Sequence, residues 1–394
     1  MAAHSRPLDG MLVVSIEQAI AAPYCSRLLA DQGARVIKIE RPEGDFARAY
    51  DARTNGLSSH FVWTNRSKES LVLDLKQQQA KDCLHQLVAG ADIFIQNLAP
   101  GAAARLGFSA QQLRRANPSL ITCSISGFGE TGPQADRKAY DLLIQAEAGF
   151  LSVTGDNDQI AKAGISIADI AAGVSAYNGI LAALLQRHKT GVGDHLDISM
   201  LEATAEWMGF PMYFAYDGAP PPPRNGAGHA TIFPYGPFET ADGAVLFGIQ
   251  NDREWRKFCS DVLQRDDLGG DPKYLGNTAR ADNRESLEPA IRAIVQRMST
   301  AHALEKLQGA GIATAEVKDM AGLWHHDQLT ARQRWQTFGS PAGPLPGLLP
   351  ITGQAWSPQM TPVPALGEHS AAILDELDLD PATKAAILAA QHQD

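Results

Sequence analysis

The sequence predicts an α/β fold in which parallel strands alternate with helices. Short runs of apolar and β-branched residues recur through the first half of the chain, and segments of helical length separate them. Repeated strand–helix–strand units pair their strands in parallel through right-handed crossovers. A content of 44% hydrophobic and 20% charged residues is usual for a globular protein. A length of 394 residues predicts two or three domains, at about 150 residues per domain.

In the first half, strands are predicted where short apolar runs end at turn residues, and helices where apolar residues recur every three or four positions. Gly33 is expected to end the first helix. The helix that begins near Ala168 is rich in Ala and Gly, so another element should approach its backbone closely. The predicted strands are residues 12–15, 35–39, 71–75, 93–96, 120–126 and 194–200, and the predicted helices are residues 23–32, 76–89, 110–116, 168–188 and 201–216.

A change of composition marks a domain boundary near residues 217–226, where four consecutive prolines lie beside glycines and cannot continue a helix. Beyond it, Asp242-Gly243 between two apolar runs predicts a β-hairpin. A second Pro/Gly-rich stretch at 340–350 marks the return to the first domain. The predicted domains are residues 1–217, 218–340 and 341–394; the hairpin strands are 235–240 and 244–249, and the helices are 254–262, 286–298, 300–309, 371–376 and 382–391, the last two packing on the first domain.

The charge and cysteine content exclude some classes of protein. A formal net charge of -10 argues against nucleic acid as a partner, because phosphate binding needs a basic face. The first ten residues do not have the pattern of a signal peptide, and no apolar run approaches the ~18 residues of a membrane span. Four cysteines without a CxxC pair indicate a reducing compartment, so we expect a cytoplasmic protein with no membrane partner.

The segment Gly127–Gly132 matches the pattern GxGxxG directly after a predicted strand. In a dinucleotide site the last glycines open a helix whose N-terminus holds the pyrophosphate. Here Pro133 follows at once, and the first strand–helix turn, residues 17–23, contains no glycine. We therefore interpret the segment as a mobile glycine loop on the rim of a cleft.

No metal site is predicted. The densest cluster is His325-His326-Asp327, but adjacent histidines on a helix point apart and no HExxH or CxxC accompanies them. His195 and Asp197 alternate on a predicted strand, where they are either solvated or structurally hydrogen-bonded. A Ser-His-Asp triad stays open, although the chain contains no GxSxG.

Asp169 stands at the start of the small-residue helix and has two interpretations. It is either the N-cap of that helix, for which Asp is preferred, or a carboxylate held where the helix start opens into a cleft. Four basic residues lie near the ends of predicted strands or the starts of helices, where α/β folds bind ligands. These residues, Arg41, Lys76, Arg105 and Lys138, could converge on the phosphates of a nucleotide-bearing ligand.

Several segments of the chain resemble the family III CoA-transferases, and the resemblance extends over nearly the whole chain. That family includes formyl-CoA transferase and the carnitine CoA-transferases. Several segments match in the same order, which makes chance similarity improbable. The matching segments are residues 28–41, 65–76, 96–97, 100–101, 126–133 and 183–191.

The resemblance implies a Rossmann-like large domain built from both termini, a smaller α+β domain between them, and an interlocked homodimer. It implies no tightly bound cofactor, since coenzyme A and acyl-CoA are substrates. The nucleophilic aspartate of the family falls on Asp169. The positions that contact CoA fall on Ala21, Arg41, Leu73, Lys76, Asn97, Leu98, Arg105, Lys138 and Tyr140.

This sequence departs from the family pattern in the first strand–helix turn. Formyl-CoA transferase has a catalytic glutamine three residues before the proline of that turn, and here the position is Ile20. Gln18 is the residue that could replace it. The same fold hosts α-methylacyl-CoA racemases, which are the alternative. Their catalytic histidine would fall on Tyr140, and tyrosine is a poor base near neutral pH, which favours a transferase.

Residues 228–237 and 249–255 are most similar to the branch that handles short dicarboxylates, with mesaconyl-CoA, itaconate and succinyl-CoA among its substrates. A second carboxylate on the substrate needs a cation, for which Arg48 and His229 are the candidates. The resemblance implies CoA transfer, with succinyl-CoA or another short dicarboxylyl-CoA as donor and a carboxylic acid as acceptor. The route would run through an aspartyl anhydride and an aspartyl-CoA thioester. The sequence leaves open which acids react, and whether CoA moves between molecules or within one.

Overall fold

A computed structural model describes residues 5–390 of the chain. Within this range the strands form three sheets, of six, three and two strands. Their bounds are β1 Leu12–Ile16, β2 Arg35–Glu40, β3 Glu69–Val72, β4 Ile93–Gln96, β5 Ile121–Ser126, β6 His195–Ser199, β7 Tyr235–Glu239, β8 Ala244–Gly248, β9 Ala313–Glu316, β10 Trp335–Phe338 and β11 Leu345–Leu348.

The helices of the described residues range from single turns to the 24 residues of Ile167–Thr190. Their bounds are α1 Ala21–Asp31, α2 Ser59–Asn65, α3 Gln78–Ala89, α4 Ala102–Arg105, α5 Ala110–Ala116, α6 Asp141–Glu147, α7 Phe150–Val153, α8 Ile167–Thr190, α9 Met200–Trp207, α10 Gly209–Phe214, α11 Asp252–Lys257, α12 Asp266–Gly270, α13 Asn277–Asp282, α14 Arg284–Val295, α15 Thr300–Gly309, α16 Met320–Trp324, α17 Asp327–Ala331, α18 Ser370–Asp375 and α19 Pro381–Ala390.

Two compact units share the chain. The first contains the described residues up to Gly149, residues 163–209 and the residues from Leu329 onward; the second contains residues 150–162 and 210–328. The first unit is built on the parallel sheet β3-β2-β1-β4-β5-β6, which confirms the predicted α/β class. The predicted domain boundaries after residues 217 and 340 stay predictions.

Helices cover both faces of the parallel sheet because its strands are apolar on both sides. Successive residues of a strand point to opposite faces of the sheet. Val13 therefore packs with α1 and α8, while Val14 packs with α3 and the C-terminal helices. Ile373 of α18 and Ile387 of α19 belong to the second of these cores. The prediction that the last two helices pack on the first domain is therefore confirmed. Gln391 of the last predicted helix lies outside the described residues.

The sheet order places a ligand site on topological grounds. From β1 the chain adds strands β2 and β3 on one side and β4, β5 and β6 on the other, so the strand order reverses between β1 and β4. Open α/β sheets bind ligands at such a switch point, beyond the carboxyl ends of the strands. The two segments that border this point start at Glu17, after β1, and at Asn97, after β4.

The second unit is an antiparallel sheet, β7-β8-β9, packed with helices around an aromatic core that includes Trp255, Phe247 and Phe258. Strands β7 and β8 pair antiparallel around Asp242-Gly243, which confirms the predicted hairpin. Strand β9 was not predicted. Its sequence, Ala-Thr-Ala-Glu, is short and has little of the β-branched character that identifies a strand.

The predicted helix 201–216 is wrong as a single helix, because the chain forms α9 and α10 with a break at Met208. Pro211 explains the break, since proline has no N–H and its ring clashes with the carbonyl four residues earlier. The predicted strand 71–75 ends instead at Val72. Asp74 accepts a hydrogen bond from the Lys76 N–H at 3.1 Å, and this turn ends the extended segment.

One helix of the described residues, α8, is long and apolar enough by length and composition to cross a bilayer. In the structure its Ala168, Ala172, Ala176 and Ile180 lie in a hydrophobic core with α1. Close approach to another helix, which its Ala and Gly content predicted, is therefore observed.

Candidate active site

The turn between β1 and α1 is held at both of its central residues. Asn97 accepts a hydrogen bond from the Gln18 N–H at 3.0 Å and donates one to the Gln18 carbonyl at 2.9 Å. Asp45 accepts a hydrogen bond from the N–H of Ala19 at 3.1 Å. Ala19 has φ 61°, a left-handed conformation that costs a residue with a side chain about 1–2 kcal/mol. The surrounding hydrogen bonds therefore fix a strained turn at the switch point.

Buried charges next to this turn explain how it is held. Lys68 Nζ lies 2.6 Å from Glu17 Oε1, and Lys38 Nζ lies 2.7 Å from Asp45 Oδ2; all four side chains are inaccessible to solvent. Burial and the nearby charge of Lys38 lower the pKa of Lys68 to about 8, against the opposing effect of Glu17. Buried charges are tolerated only when paired, so the network specifies one position for Asp45 and for the turn it holds.

Helix α8 approaches the start of α1 at a glycine. A Cβ on Gly173 would lie 2.8 Å from the Ala21 carbonyl oxygen, a distance that no side chain could keep. Asp169 precedes Gly173 by four residues and so lies on the same face of α8, one turn nearer its N-terminus. This spacing places Asp169 on the face of α8 that approaches the start of α1.

Asp169 is the third residue of α8, and Ser166 occupies the N-cap position without a side-chain hydrogen bond. The N-cap interpretation of Asp169 is therefore wrong. The helix start is capped from another helix instead. Asp141, the first residue of α6, accepts hydrogen bonds through Oδ1 from the Ala168 N–H at 2.8 Å and from the Asp169 N–H at 3.3 Å.

The surroundings of Asp169 disfavour its ionised form. Burial, together with the negative charge of Asp141, raises the pKa of Asp169 to about 7. Burial also raises the pKa of Tyr50 to about 12, with smaller effects from the negative charges of Asp45 and Asp169 and from Tyr140. Asp169 and Tyr140 thus both act electrostatically on Tyr50. A carboxyl whose pKa is raised by burial and by a specific charged neighbour is a candidate functional group.

The Gly127–Gly132 loop is tied to the adjacent strands. The Gly129 N–H donates to Ser126 Oγ at 2.9 Å, and the Glu130 N–H donates to the Asp197 carboxylate at 3.0 Å. Glu130 Oε2 lies 3.1 Å from His195 Nε2. The structural interpretation of His195 and Asp197 is therefore supported, whereas the mobility of the loop stays a prediction. The next helix, α6, starts only at Asp141, so the glycines do not open a helix.

The nine residues predicted to contact CoA mostly follow the carboxyl ends of parallel strands. Ala21 and Leu73 are buried and could meet a ligand only through their backbone atoms. Exposed side chains among the nine are Arg41, Lys76, Arg105, Lys138 and Tyr140, while Asn97 and Leu98 are half-buried. Asn97 has the additional role of holding Gln18. CoA contacts at these nine positions stay predictions.

The two candidate cations for a second substrate carboxylate differ in their surroundings. Arg48 donates Nε and Nη2 to the buried Glu40 carboxylate at 2.8 and 2.7 Å and stacks on Phe61 at 3.8 Å. This ion pair gives Arg48 a structural role. His229 accepts through Nδ1 from the N–H groups of Thr231 and Ile232 at 3.2 and 3.1 Å, so its proton resides on Nε2. The role of either residue toward substrate stays a prediction.

Within residues 5–390, no group of three or more His, Cys, Asp or Glu side chains is arranged to hold a metal ion. The segment His325-His326-Asp327 belongs to no such group in the described part of the chain.

Sequence reasoning missed Asp141 and Tyr50 as parts of the site. Asp141 and Asp169 are 28 positions apart on different helices, so no periodic pattern connects them. Tyr50 directly follows a short 3-10 segment, Phe46–Ala49, which has no distinctive pattern. The sequence contained one indication of the buried ion pairs, because Lys38 interrupts the otherwise apolar core of the strand Arg-Val-Ile-Lys-Ile.

The first unit has an open parallel α/β sheet of the kind that binds ligands at its switch point, and burial raises the pKa of Asp169. The family model described as CoA-transferase family III matches residues 8–370. The chain therefore belongs to CoA-transferase family III, and it is a CoA-transferase.

Curated relatives and a solved structure agree with this assignment. The acetyl-CoA:oxalate CoA-transferase of Acetobacter aceti is 33% identical over 376 residues, 94% of this chain and 95% of that protein. The succinate–glutarate CoA-transferase of Agrobacterium fabrum is 34% identical over 385 residues, 94% of this chain and 96% of that protein. A crystal structure of a CAIB/BAIF family protein from Brucella suis aligns with a TM-score of 0.85 and 32% identity, covering 95% of this chain and 100% of that one.

Proposed function

We propose that the protein transfers CoA from succinyl-CoA, or another short dicarboxylyl-CoA, to a carboxylic acid acceptor, with Asp169 as the covalent nucleophile. The observation that carries this proposal is the position of Asp169, a desolvated carboxyl with a pKa of about 7 on the face of α8 that approaches the start of α1. Related CoA-transferases that act with succinate, glutarate and oxalate support short dicarboxylates as substrates.

The proposed reaction begins when an Asp169 oxygen attacks the thioester carbonyl carbon of the donor. The carbon–sulfur bond breaks, CoA leaves as a thiolate, and the acyl group remains on Asp169 as a mixed anhydride. The thiolate then attacks the aspartyl carbonyl carbon. This releases the donor acid as a carboxylate and leaves CoA on Asp169 as a thioester. The acceptor carboxylate reverses both steps, so that acyl-CoA of the acceptor leaves and free Asp169 is restored.

A carboxylate is a weak nucleophile, so most of the rate must come from positioning and from stabilising the oxyanion. The first N–H groups of α8 are not available, because those of Ala168 and Asp169 donate to Asp141. Those of Gly129 and Glu130 donate to Ser126 and Asp197. The N–H groups of Ala21 and Ala22, in the first turn of α1, have no acceptor among the described residues, and we assign the oxyanion to them.

Gln18 is the residue that we propose in place of the glutamine found three residues before the proline in formyl-CoA transferase. Ile20, which occupies that position, is buried and offers no polar group. The backbone of Gln18 is fixed by Asn97, while its side-chain amide makes no hydrogen bond to any described residue. The amide is therefore available to a substrate carboxylate or thioester oxygen.

We further propose that the enzyme acts as a homodimer in the cytoplasm. Support for a partner comes from α8 and its surroundings, which leave large apolar side chains exposed in the single chain. These are Leu142, Leu143, Ile165, Leu185 and Val192. Solution mass measurement tests this part, with twice the 42.2 kDa of one chain expected.

The proposed activity is tested by incubating the enzyme with succinyl-CoA and each of glutarate, mesaconate, itaconate, oxalate and malate, and by following the new acyl-CoA chromatographically. Transfer should require an acceptor acid. Asp169→Ala should abolish transfer while the affinity for CoA stays within a few-fold, and Asp136→Asn, an exposed carboxyl without a hydrogen bond among the described residues, should leave transfer intact. Substantial transfer by Asp169→Ala contradicts the mechanism. Solvent deuterium entering the α-carbon of a branched acyl-CoA without acceptor would indicate a racemase instead.

A further inference from the structure

The carboxylate of Asp141 meets α8 at the residue that carries the nucleophile. Its Oδ1 accepts from the N–H groups of Ala168 and Asp169, and its Oδ2 accepts from Gln145 Nε2 at 2.7 Å. Gln145 is fully buried, and its Oε1 accepts from the Ala163 N–H at 2.9 Å. Asp141 is thus held on both oxygens by a chain of hydrogen bonds that ends at the nucleophile.

This arrangement brings two acidic side chains together at one helix start. The first N–H groups of α8 donate to the Asp141 carboxylate. Asp169, in the first turn of the same helix, experiences the charge of Asp141. Neutral side chains such as Ser or Asn cap helices as well as Asp does, so capping alone does not require a second negative charge.

We propose that Asp141 is a positioning residue for the nucleophile: it fixes the backbone of Asp169 and, through like-charge repulsion, raises the free energy of the Asp169 carboxylate before attack. This inference rests on the proposed function. When Asp169 forms the anhydride, its negative charge passes to the departing CoA thiolate and the repulsion from Asp141 is relieved. The released repulsion favours the acylation step, whose electron pair moves from the carboxylate oxygen to the thioester carbon and then to sulfur.

Other charges around α8 do not offset this effect. The elements packed most extensively against α8 are α1, α6, α9, β5 and β6. Among the residues that the structure describes, Asp141 is the one charged group that contributes to the pKa of Asp169, and no cation does. The other titratable side chains of those elements are Tyr24, Cys25, Arg27 and Asp31 on α1, Glu147 on α6, Glu202 and Glu206 on α9, Cys123 on β5, and His195 and Asp197 on β6. Tyr50, in the β2–α2 connection, also interacts electrostatically with Asp169.

The experiment compares wild type with Asp141→Asn, which keeps an acceptor oxygen for α8 but removes the charge. In each protein kcat/KM for succinyl-CoA is measured against pH, because this ratio reports the ionisation of the free enzyme. Wild type should gain activity as pH rises through about 7, where Asp169 ionises. Asp141→Asn should show a midpoint about one pH unit lower, together with a plateau that is roughly 10-fold lower.

A merely structural role predicts a lower plateau with an unmoved midpoint, and that result would overturn the proposal. Asp141→Glu, which retains the charge, should keep the wild-type midpoint. If Asp141→Asn does not fold, Asp141→Ser offers the same neutral acceptor and is interpreted in the same way. Intact mass after succinyl-CoA treatment distinguishes a failure of the proposed role of Asp141 from a failure of the proposed function. An adduct on wild type with no midpoint shift in the variant refutes the role of Asp141, whereas no adduct on wild type refutes the proposed function.

Discussion

At the scale of single residues, the raised pKa of Asp169 should lower the free energy of unfolding near neutral pH. Asp169 has a pKa of about 7 in the folded protein, against about 3.9 for an unperturbed aspartate. A raised carboxyl pKa means that the folded state favours the neutral form. The stability that this group contributes is therefore complete below pH ~4 and is lost as pH rises through about 7.

Replacing Asp169 by Asn should for this reason stabilise the protein at pH 8 and have little effect at pH 4. The side chain is half-buried, so we expect about 1 kcal/mol or more, or roughly 2 °C in Tm, at pH 8. Differential scanning calorimetry at the two pH values measures the difference. Asp282→Asn, an exposed carboxyl with no hydrogen bond or ion pair among the described residues, is the control. Equal Tm changes at both pH values would show that Asp169 is not desolvated as described.

Asn97 connects stability and catalysis in the same turn. Asn97→Ala removes both hydrogen bonds to Gln18 and should cost about 1–2 kcal/mol of stability. A loosened turn should also lower kcat by roughly 10-fold or more, since small displacements in a site are costly. Denaturant unfolding and steady-state kinetics measure both effects, with Asn157→Ala, an exposed side chain without a hydrogen bond in the described structure, as control. A rise in KM alone would mean that Asn97 serves only to contact CoA.

At the scale of elements, the decisive contact is between α1 and α8. It brings the start of α1, with its free N–H groups, to the turn of α8 that carries Asp169. Only glycine allows this approach, because a Cβ at Gly173 would meet backbone as well as the Tyr24 ring.

Gly173→Ala should therefore force the two helices apart, cost about 1–3 kcal/mol of stability and lower kcat more than it raises KM. Gly179→Ala on the same helix is the matched control. Its Cβ would meet the flexible Leu196 side chain at 3.3 Å, and alanine is the better helix former by about 1 kcal/mol. Thermal unfolding and kinetics of both variants compare the two positions. Similar behaviour of the two variants would show that the α1–α8 distance does not control the reaction.

At the scale of the whole molecule, the sequence predicted the features that periodicity and turn chemistry determine. The parallel strands, the hairpin at Asp242-Gly243 and the small-residue helix α8 were all accessible in this way. The family resemblance pointed to Asp169. The capping of α8 by Asp141 and the pairing of Gln18 with Asn97 were not accessible, because each joins residues that are brought together only by the sheet order. The same holds for the buried pairs of Lys38 and Lys68, whose carboxylate partners lie on other segments.

In the proposed mechanism Asp169 carries first the acyl group and then CoA. Intact mass spectrometry of the purified protein after incubation with succinyl-CoA, followed by peptide mapping, tests it most directly. We expect an acyl or CoA adduct on the peptide that contains Asp169, lost when an acceptor acid such as glutarate is added. An enzyme that transfers CoA with no adduct at any time point, or with an adduct on a different residue, would contradict the account.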